Sequence, residues 1–382
     1  MRTPKFLLFL FPALLAAGTL AAQDSTAIRS ASDMITGIQK KYAPDKRTAI
    51  FKATFSAADR ALIDLETTDP AAASELAKEL QRSGLPFRLN AKVLPAGELD
   101  GKIYGVANLS VCNNRTNPDH AAEMATQMLL GTPVDVLKKE RGYYQVRTPD
   151  RYISYIDGAG ITLMDEKEFQ EWKKAPKVIY TEDHGYAFQE ASEKSMRVSD
   201  LVKGSILKLT GKEKGFLKVE FPDRRTAYIP AKSAADFRTW ASRPNPTAAQ
   251  ILETAKTMIG VPYLWGGTSI KGVDCSGFTK TSFFLNGIIL PRDASQQALV
   301  GEPVDVFEAD TVNMDKALKN LQPGDLLFFA AGKVRAAARP RVTHTAIYIG
   351  DGMFIQSAGL VRINSMKPES DRYDDFQART IV

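Results

Sequence analysis

Apolar and polar positions change their spacing several times along this chain, and each change marks a different kind of element. The first pattern is a continuous apolar run, Phe6–Ala17, behind Arg2 and Lys5 and ahead of the small residues Ala17-Gly-Thr-Leu-Ala-Ala-Gln. A basic start, a short apolar stretch and small residues near Ala22 describe an export leader over 1–22, too short for a stable membrane span. Residues 23–100 then read as a small α/β segment. Thr48–Phe55 and Phe87–Leu94 carry strand-like patterns, and between them Asp69 caps a helix that has Pro70 at its first position and stops at Gly84.

The next pattern is a repeat. Residues 131–156 align without gaps on 204–229, an offset of 73, pairing Gly142 with Gly215, Val146 with Val219, Asp150 with Asp223, Arg151 with Arg224 and Tyr155 with Tyr228. Each copy alternates short apolar strands with Lys-Glu-basic-Gly turns, which predicts two small β-barrels, over 101–165 and 175–240. The charged stretch Asp165–Lys174 between them has helical character. Ser242-Arg-Pro-Asn-Pro is a linker, and residues 246–382 form the last domain. There Thr247 caps a helix whose apolar stripe is Ile251, Leu252, Ala255, Met258 and Ile259. Further on, Arg341–Gly350 alternates as a strand, with His344, Ala346 and Tyr348 on one face and Thr345, Ile347 and Ile349 on the other.

Composition narrows the function. The formal charge is +6, and +4 once Arg2 and Lys5 are removed with the leader. Lysines and glutamates are interspersed, so this mild basicity suits an anionic polymer such as a cell wall and gives no nucleic-acid stripe. Two cysteines, Cys112 and Cys275, make no disulfide framework. No Cys/His cluster has metal-ligand spacing, so neither a metal nor another cofactor is expected. No other run is long and apolar enough to cross a bilayer, and nothing in the sequence addresses oligomeric state.

Candidate chemistry gathers around Cys275. Asp274 and Ser276 are both helix N-cap types, which sets Cys275 in the first turn of a helix. There, unpaired N–H groups and the dipole favour a thiolate. Of three histidines, His120 and His184 lie in polar turns, whereas His344 shares the last domain with Cys275 and can act as its base. A turn centred on Gly350 would set Gln356 beside His344, where its amide can accept from the ring and fix the tautomer. Tyr263 can donate to a developing oxyanion together with the Cys275 N–H. The segment Ala331–Arg341, with Lys333, Arg335 and Arg339, reads as a basic loop.

Tyr263-Leu-Trp-Gly-Gly, Asp274-Cys-Ser-Gly-Phe, Leu290-Pro-Arg-Asp, Leu321-Gln-Pro-Gly-Asp and Thr343-His344 resemble, in order, the motifs of NlpC-type cell-wall cysteine peptidases. The resemblance implies an α+β protein: a papain-like catalytic domain behind two bacterial SH3-like barrels and the α/β segment. It implies catalysis by Cys275, His344 and Gln356, the last in place of the family's usual histidine. It assigns Tyr263 and Trp265 to the cleft wall, Asp274 to the substrate amine, and Ser276 and Ser295 to substrate contacts. The first barrel would add Glu123 and Tyr155, with Tyr152 the alternative, around the free α-amine of an N-terminal L-Ala. The expected reaction is hydrolysis of the γ-D-glutamyl-L-diamino acid bond in peptidoglycan-derived peptides, by an exported protein, periplasmic or extracellular. The rival expectations are a hydrolase of intact peptidoglycan, a transferase using the same Cys/His pair, and a wall-binding module with weak or lost activity.

Overall fold

The computed structural model describes residues 14–242, 245–308, 311–330, 341–373 and 380–381. Residues 1–13 of the expected leader, Arg243 and Pro244 of the linker, and residues 331–340 of the basic segment lie outside the described residues. The chain divides into two compact units, residues 1–96 and 97–382.

In the first unit, helix α1 (Leu14–Tyr42) runs past the expected leader boundary near Ala22. Strands β1 (Phe51–Phe55), β2 (Leu62–Thr67) and β3 (Arg88–Val93) form a sheet in that order, β2 and β3 being parallel. The crossover between the parallel strands is α2 (Pro70–Ser83), capped as its sequence suggests: the Asp69 carboxylate accepts from the Ala71 N–H, and Gly84 ends the helix in the left-handed conformation. Ala31, Ile38, Phe51, Ile63, Leu65 and Leu76 belong to the core of this unit. Strand β2 was not foreseen, because its alternation of Leu and Ile with Asp and Glu is short and lacks the aromatic signal of its neighbours.

The second unit begins with two β-modules. The first holds β4 (Tyr104–Ala107), β5 (Val111–Arg115), β6 (Met124–Leu129), β7 (Pro133–Glu140), β8 (Tyr143–Arg147), β9 (Ile153–Asp157) and β10 (Ile161–Met164), followed by α3 (Glu166–Lys174). The second holds β11 (Lys177–Tyr180), β12 (His184–Phe188), β13 (Arg197–Val202), β14 (Ile206–Glu213), β15 (Phe216–Glu220), β16 (Thr226–Pro230) and β17 (Ala234–Asp236), followed by α4 (Phe237–Ala241). Both are seven-stranded and antiparallel throughout, ordered β10-β4-β7-β8-β9-β5-β6 and, read from the opposite edge, β17-β11-β14-β15-β16-β12-β13. The repeat therefore extends well beyond the stretch of obvious identity. Even the strained turn residues correspond, with Arg141 and Lys214 at φ 53° and 48°, and Arg151 and Arg224 at 71° and 69°. Each module has its own core, around Val136, Val146 and Ile156 in one and Leu209, Val219 and Ile229 in the other.

The last region contains α5 (Ala248–Thr257), the short hairpin β18 (Thr268–Ser269) and β19 (Gly272–Val273), α6 (Cys275–Phe284), α7 (Ala294–Gln297), the pair β20 (Phe307–Glu308) and β21 (Thr311–Val312), and α8 (Met314–Asn320). Its sheet runs β25 (Leu360–Ser365), β24 (Met353–Ala358), β23 (Val342–Gly350), β22 (Leu326–Ala330), β26 (Thr380–Ile381). Both faces of the central strand β23 are covered, as the apolar run Ala346–Ile349 demands. Ala346 and Tyr348 pack with Leu327, Phe329 and Phe354 on the α8 side. Ile347 packs with Ile355, Phe278 of α6 and Leu252 of α5 on the other.

Candidate active site

Helix α6 starts at Cys275 because Asp274 caps it. Asp274 is extended (φ −84°, ψ −176°) and its Oδ1 accepts the Gly277 N–H at 2.7 Å. Gly277 has no room for a side chain, since a Cβ would run into the carbonyl oxygen of Gly267. Gly266, at φ 80°, faces the Met124 carbonyl oxygen of the first β-module, which a Cβ would meet at 2.5 Å. These glycines serve packing around the nucleophile.

The Cys275 thiol is 7% exposed. Burial first, then the neighbouring Asp274 carboxylate, pushes it up to about 11, against the pull of backbone N–H groups from Thr345 and Ser276. The helix start alone would have lowered it; burial outweighs that effect. Ionisation near neutral pH therefore requires a base.

Asp274 itself is occupied. Its Oδ1 also accepts from Ser276 Oγ (3.2 Å) and Arg292 Nη1 (3.2 Å), and its Oδ2 from the Gly266 N–H (2.9 Å) and Arg292 Nη2 (2.6 Å). Arg292 is 2% exposed, and its remaining Nε donates to Thr126 Oγ1 of β6. Burial works against the guanidinium charge, and Asp274 more than restores it. The expected amine-binding carboxylate is thus neutralised and turned inward, and Ser276 belongs to the same network. The sequence pattern Leu290-Pro-Arg-Asp by itself gives Arg292 no role. The available signal was an arginine set directly after Leu290-Pro291, ahead of a capping aspartate.

His344 is buried on β23, its ring 5.4 Å from that of Phe329. Its Nε2 meets Gln356 Oε1 at 2.6 Å. The register differs from the expected one. A bulge beside Gly350 sets Ile347 against Ile355, so the continued ladder would place Gln356 beside Ala346. A shift of two residues keeps Gln356 on the same face, and the contact is made diagonally. The backbone of Thr345, the next residue, favours the ionised form of the Cys275 sulfur.

Tyr263 is half-buried near Cys275 and Asp274, and burial, followed by their charges, raises its phenol well above the usual tyrosine value, so it remains a donor. Trp265, 61% exposed, donates its indole N–H to Glu123 Oε1 at 2.6 Å. Ser295 lies half-buried on α7. Tyr155 turns the other way: its hydroxyl meets Glu140 within its own module at 3.1 Å, just as Tyr228 meets Glu213 at 3.3 Å in the second. Tyr152 is the tyrosine that reaches the last region, donating to Asp293 Oδ2 at 3.2 Å. Among the described residues no three His, Cys, Asp or Glu side chains gather as metal ligands, and no helix is long and apolar enough to cross a membrane.

A cysteine at a capped helix start, against a sheet that carries a buried histidine, is the layout of a cysteine peptidase. Residues 260–379 match the NlpC/P60 family, and residues 114–161 match the bacterial dipeptidyl-peptidase Sh3 domain. The chain is 31% identical over 248 residues to a gamma-D-glutamyl-L-lysine dipeptidyl-peptidase of Bacillus cereus, covering 62% of this chain and 68% of that one. It is 28% identical to dipeptidyl-peptidase 6 of Lysinibacillus sphaericus, over 71% of this chain and 95% of that one. A crystal structure of an NlpC/P60 family protein from Bacillus cereus superposes with a TM-score of 0.59 at 25% identity, covering 73% of this chain and 98% of that one. The chain belongs to the NlpC/P60 family of cysteine peptidases.

Proposed function

We propose that this peptidase hydrolyses the γ-D-glutamyl-L-diamino acid bond of peptidoglycan stem peptides and selects those with a free N-terminal L-Ala. The observation that carries the reading is the acidic seam between the first β-module and the last region, where Glu123 meets Trp265 and Tyr152 meets Asp293. A carboxylate rim recognises an ammonium, and an N-blocked peptide brings no opposite charge to it. The names of the two relatives above point the same way. Because Asp274 is neutralised by Arg292, Asp293 takes the place first given to Asp274 as the second carboxylate for the amine.

In the proposed reaction His344 takes the Cys275 proton and the thiolate attacks the γ-glutamyl carbonyl. The oxyanion is held by the Cys275 N–H, which at the first helical position has no intrahelical acceptor, and by the protonated Tyr263 hydroxyl. The imidazolium then protonates the leaving amine of the diamino acid, and the neutral ring activates the water that releases the acyl group. Gln356 holds the ring throughout. The leader reading of residues 1–22 makes this an exported enzyme, periplasmic or extracellular.

Two measurements test the proposal. Cys275→Ala should abolish release of L-Ala-γ-D-Glu from L-Ala-γ-D-Glu-L-Lys. Acetylating the tripeptide's amine should lower kcat/KM by about 100-fold, the upper range for one charged contact; equal rates would favour a hydrolase of intact wall.

A further inference from the structure

The amide of Gln356 can accept from the imidazole only if it faces His344 with its oxygen, and a glutamine amide has two orientations of nearly equal shape. Gln356 is fully buried. Its Nε2 donates to Asn364 Oδ1 at 3.0 Å, and Asn364 Nδ2 donates to the Arg372 carbonyl at 3.1 Å. That carbonyl is held in place because it also accepts the Ser365 N–H at 2.9 Å. A carbonyl oxygen has no hydrogen to give, so the Asn364 NH2 must face it and Asn364 Oδ1 must face Gln356. Gln356 then presents Nε2 to Asn364 and Oε1 to His344, which obliges His344 Nε2 to carry the hydrogen and leaves Nδ1 as the acceptor. The orientation follows from an atom whose chemistry admits one role. Arg362 Nε, donating to the same Asn364 Oδ1 at 3.1 Å, adds a second donor that enforces the same sense.

We propose that Asn364 is a positioning residue that sets the tautomer of His344 through Gln356, in a relay that starts at the Arg372 carbonyl. The proposal rests on His344 being the base for Cys275. Without Asn364, a flipped Gln356 would satisfy Arg362 with its oxygen and His344 with its NH2. The ring hydrogen would then move to Nδ1, where it blocks proton transfer from the thiol. A glutamate at 356 would need no such relay, since its two oxygens are equivalent.

The test is Asn364→Leu in two backgrounds, wild type and Gln356→Glu, read by steady-state kinetics on L-Ala-γ-D-Glu-L-Lys and by 15N shifts of labelled histidine. The chain has three histidines, so the His344 signals can be identified with His344→Ala. Asn364→Leu should lower kcat at least about tenfold with little change in KM, and should move His344 from the Nε2-protonated to the Nδ1-protonated tautomer. In the Gln356→Glu background the same substitution should cost less than about threefold. Equal losses in both backgrounds, or an unchanged tautomer, would overturn the relay. Should Asn364→Leu fail to fold, Asn364→Asp keeps an acceptor facing Gln356 and should retain the wild-type tautomer; a switched tautomer there also overturns the proposal. An active His344→Ala would instead refute the base assignment itself, so the two failures are distinguishable.

Discussion

The two β-modules share strand order, turn conformations and an internal Tyr–Glu contact, yet they meet the peptidase region differently. At an offset of 73, Glu123 corresponds to Met196, Gln127 to Asp200, Asp150 to Asp223 and Tyr152 to Arg225. In the first module Glu123 holds Trp265, Gln127 holds the Thr268 N–H, and Asp150 forms an ion pair at 2.7 Å with Lys280 of α6. In the second, Met196 is 75% exposed and Asp223 pairs with Arg225 inside its own module. Asp200 is the exception, reaching Lys271 beside the site hairpin and Ser110 of the first module. Glu123, Gln127 and Tyr152 reach the peptidase region with side chains the second copy lacks, whereas Asp150 is shared and only its partner differs. The same contrast separates Tyr155, which has a counterpart, from Tyr152, which does not.

Stability gives the sharpest way to break this contrast. Asp150→Ala strands the Lys280 ammonium, whose side chain is 17% exposed, and should cost about 3–5 kcal/mol in urea unfolding. Asp223→Ala removes a surface pair and should cost about 1 kcal/mol or less. Similar costs would dissolve the distinction between the modules.

A second prediction contrasts the two thiols. Cys112, in the first module, and Cys275 are both pushed up to about 11, burial leading in each case. Only Cys275 has the proposed base nearby. Iodoacetamide should therefore label Cys275 in native protein at pH 7 and spare Cys112. His344→Ala should slow that labelling about 100-fold or more and leave a rate that climbs tenfold per pH unit toward 11, following thiolate fraction. The sign for stability is the reverse: both thiols hold their protons more tightly folded, so their contribution is whole below the ordinary thiol value and is lost as pH rises through about 11.

Glu123→Gln keeps an acceptor for Trp265 but removes the charge, and should lower kcat/KM for the free-amine tripeptide about 10- to 100-fold, the worth of one charge-assisted hydrogen bond. Met196→Ala, its counterpart, should change kcat/KM less than about twofold, since it touches no part of the seam. The smallest effects belong to Tyr155→Phe and Tyr228→Phe. Each removes one partly exposed hydrogen bond to glutamate and should cost about 0.5–1 kcal/mol with KM unchanged; a KM effect confined to Tyr155→Phe would restore it to the substrate site.

Much of the site was legible because its signals are local or periodic. Asp69, Thr247 and Asp274 cap the helices they precede, as their side chains dictate. Strand parity set His344 and Gln356 on one face, and parity survives an even register shift, so the pair was found although the ladder slipped. The acidity of the thiol was not legible. Helix position argues one way and burial the other, and only packing says which is larger.

Cysteine at a capped helix start, histidine on a buried strand and the doubled β-module were determined by the sequence itself, because each depends on residues within a turn, a strand or a fixed repeat. Tertiary structure alone decided that Arg292 would neutralise Asp274, that Tyr152 and not Tyr155 would face the peptidase, and that Glu123 would meet Trp265 across 142 positions of chain. No spacing rule spans such a distance. Those partners are chosen by which surfaces come together and by which buried charges must then be satisfied.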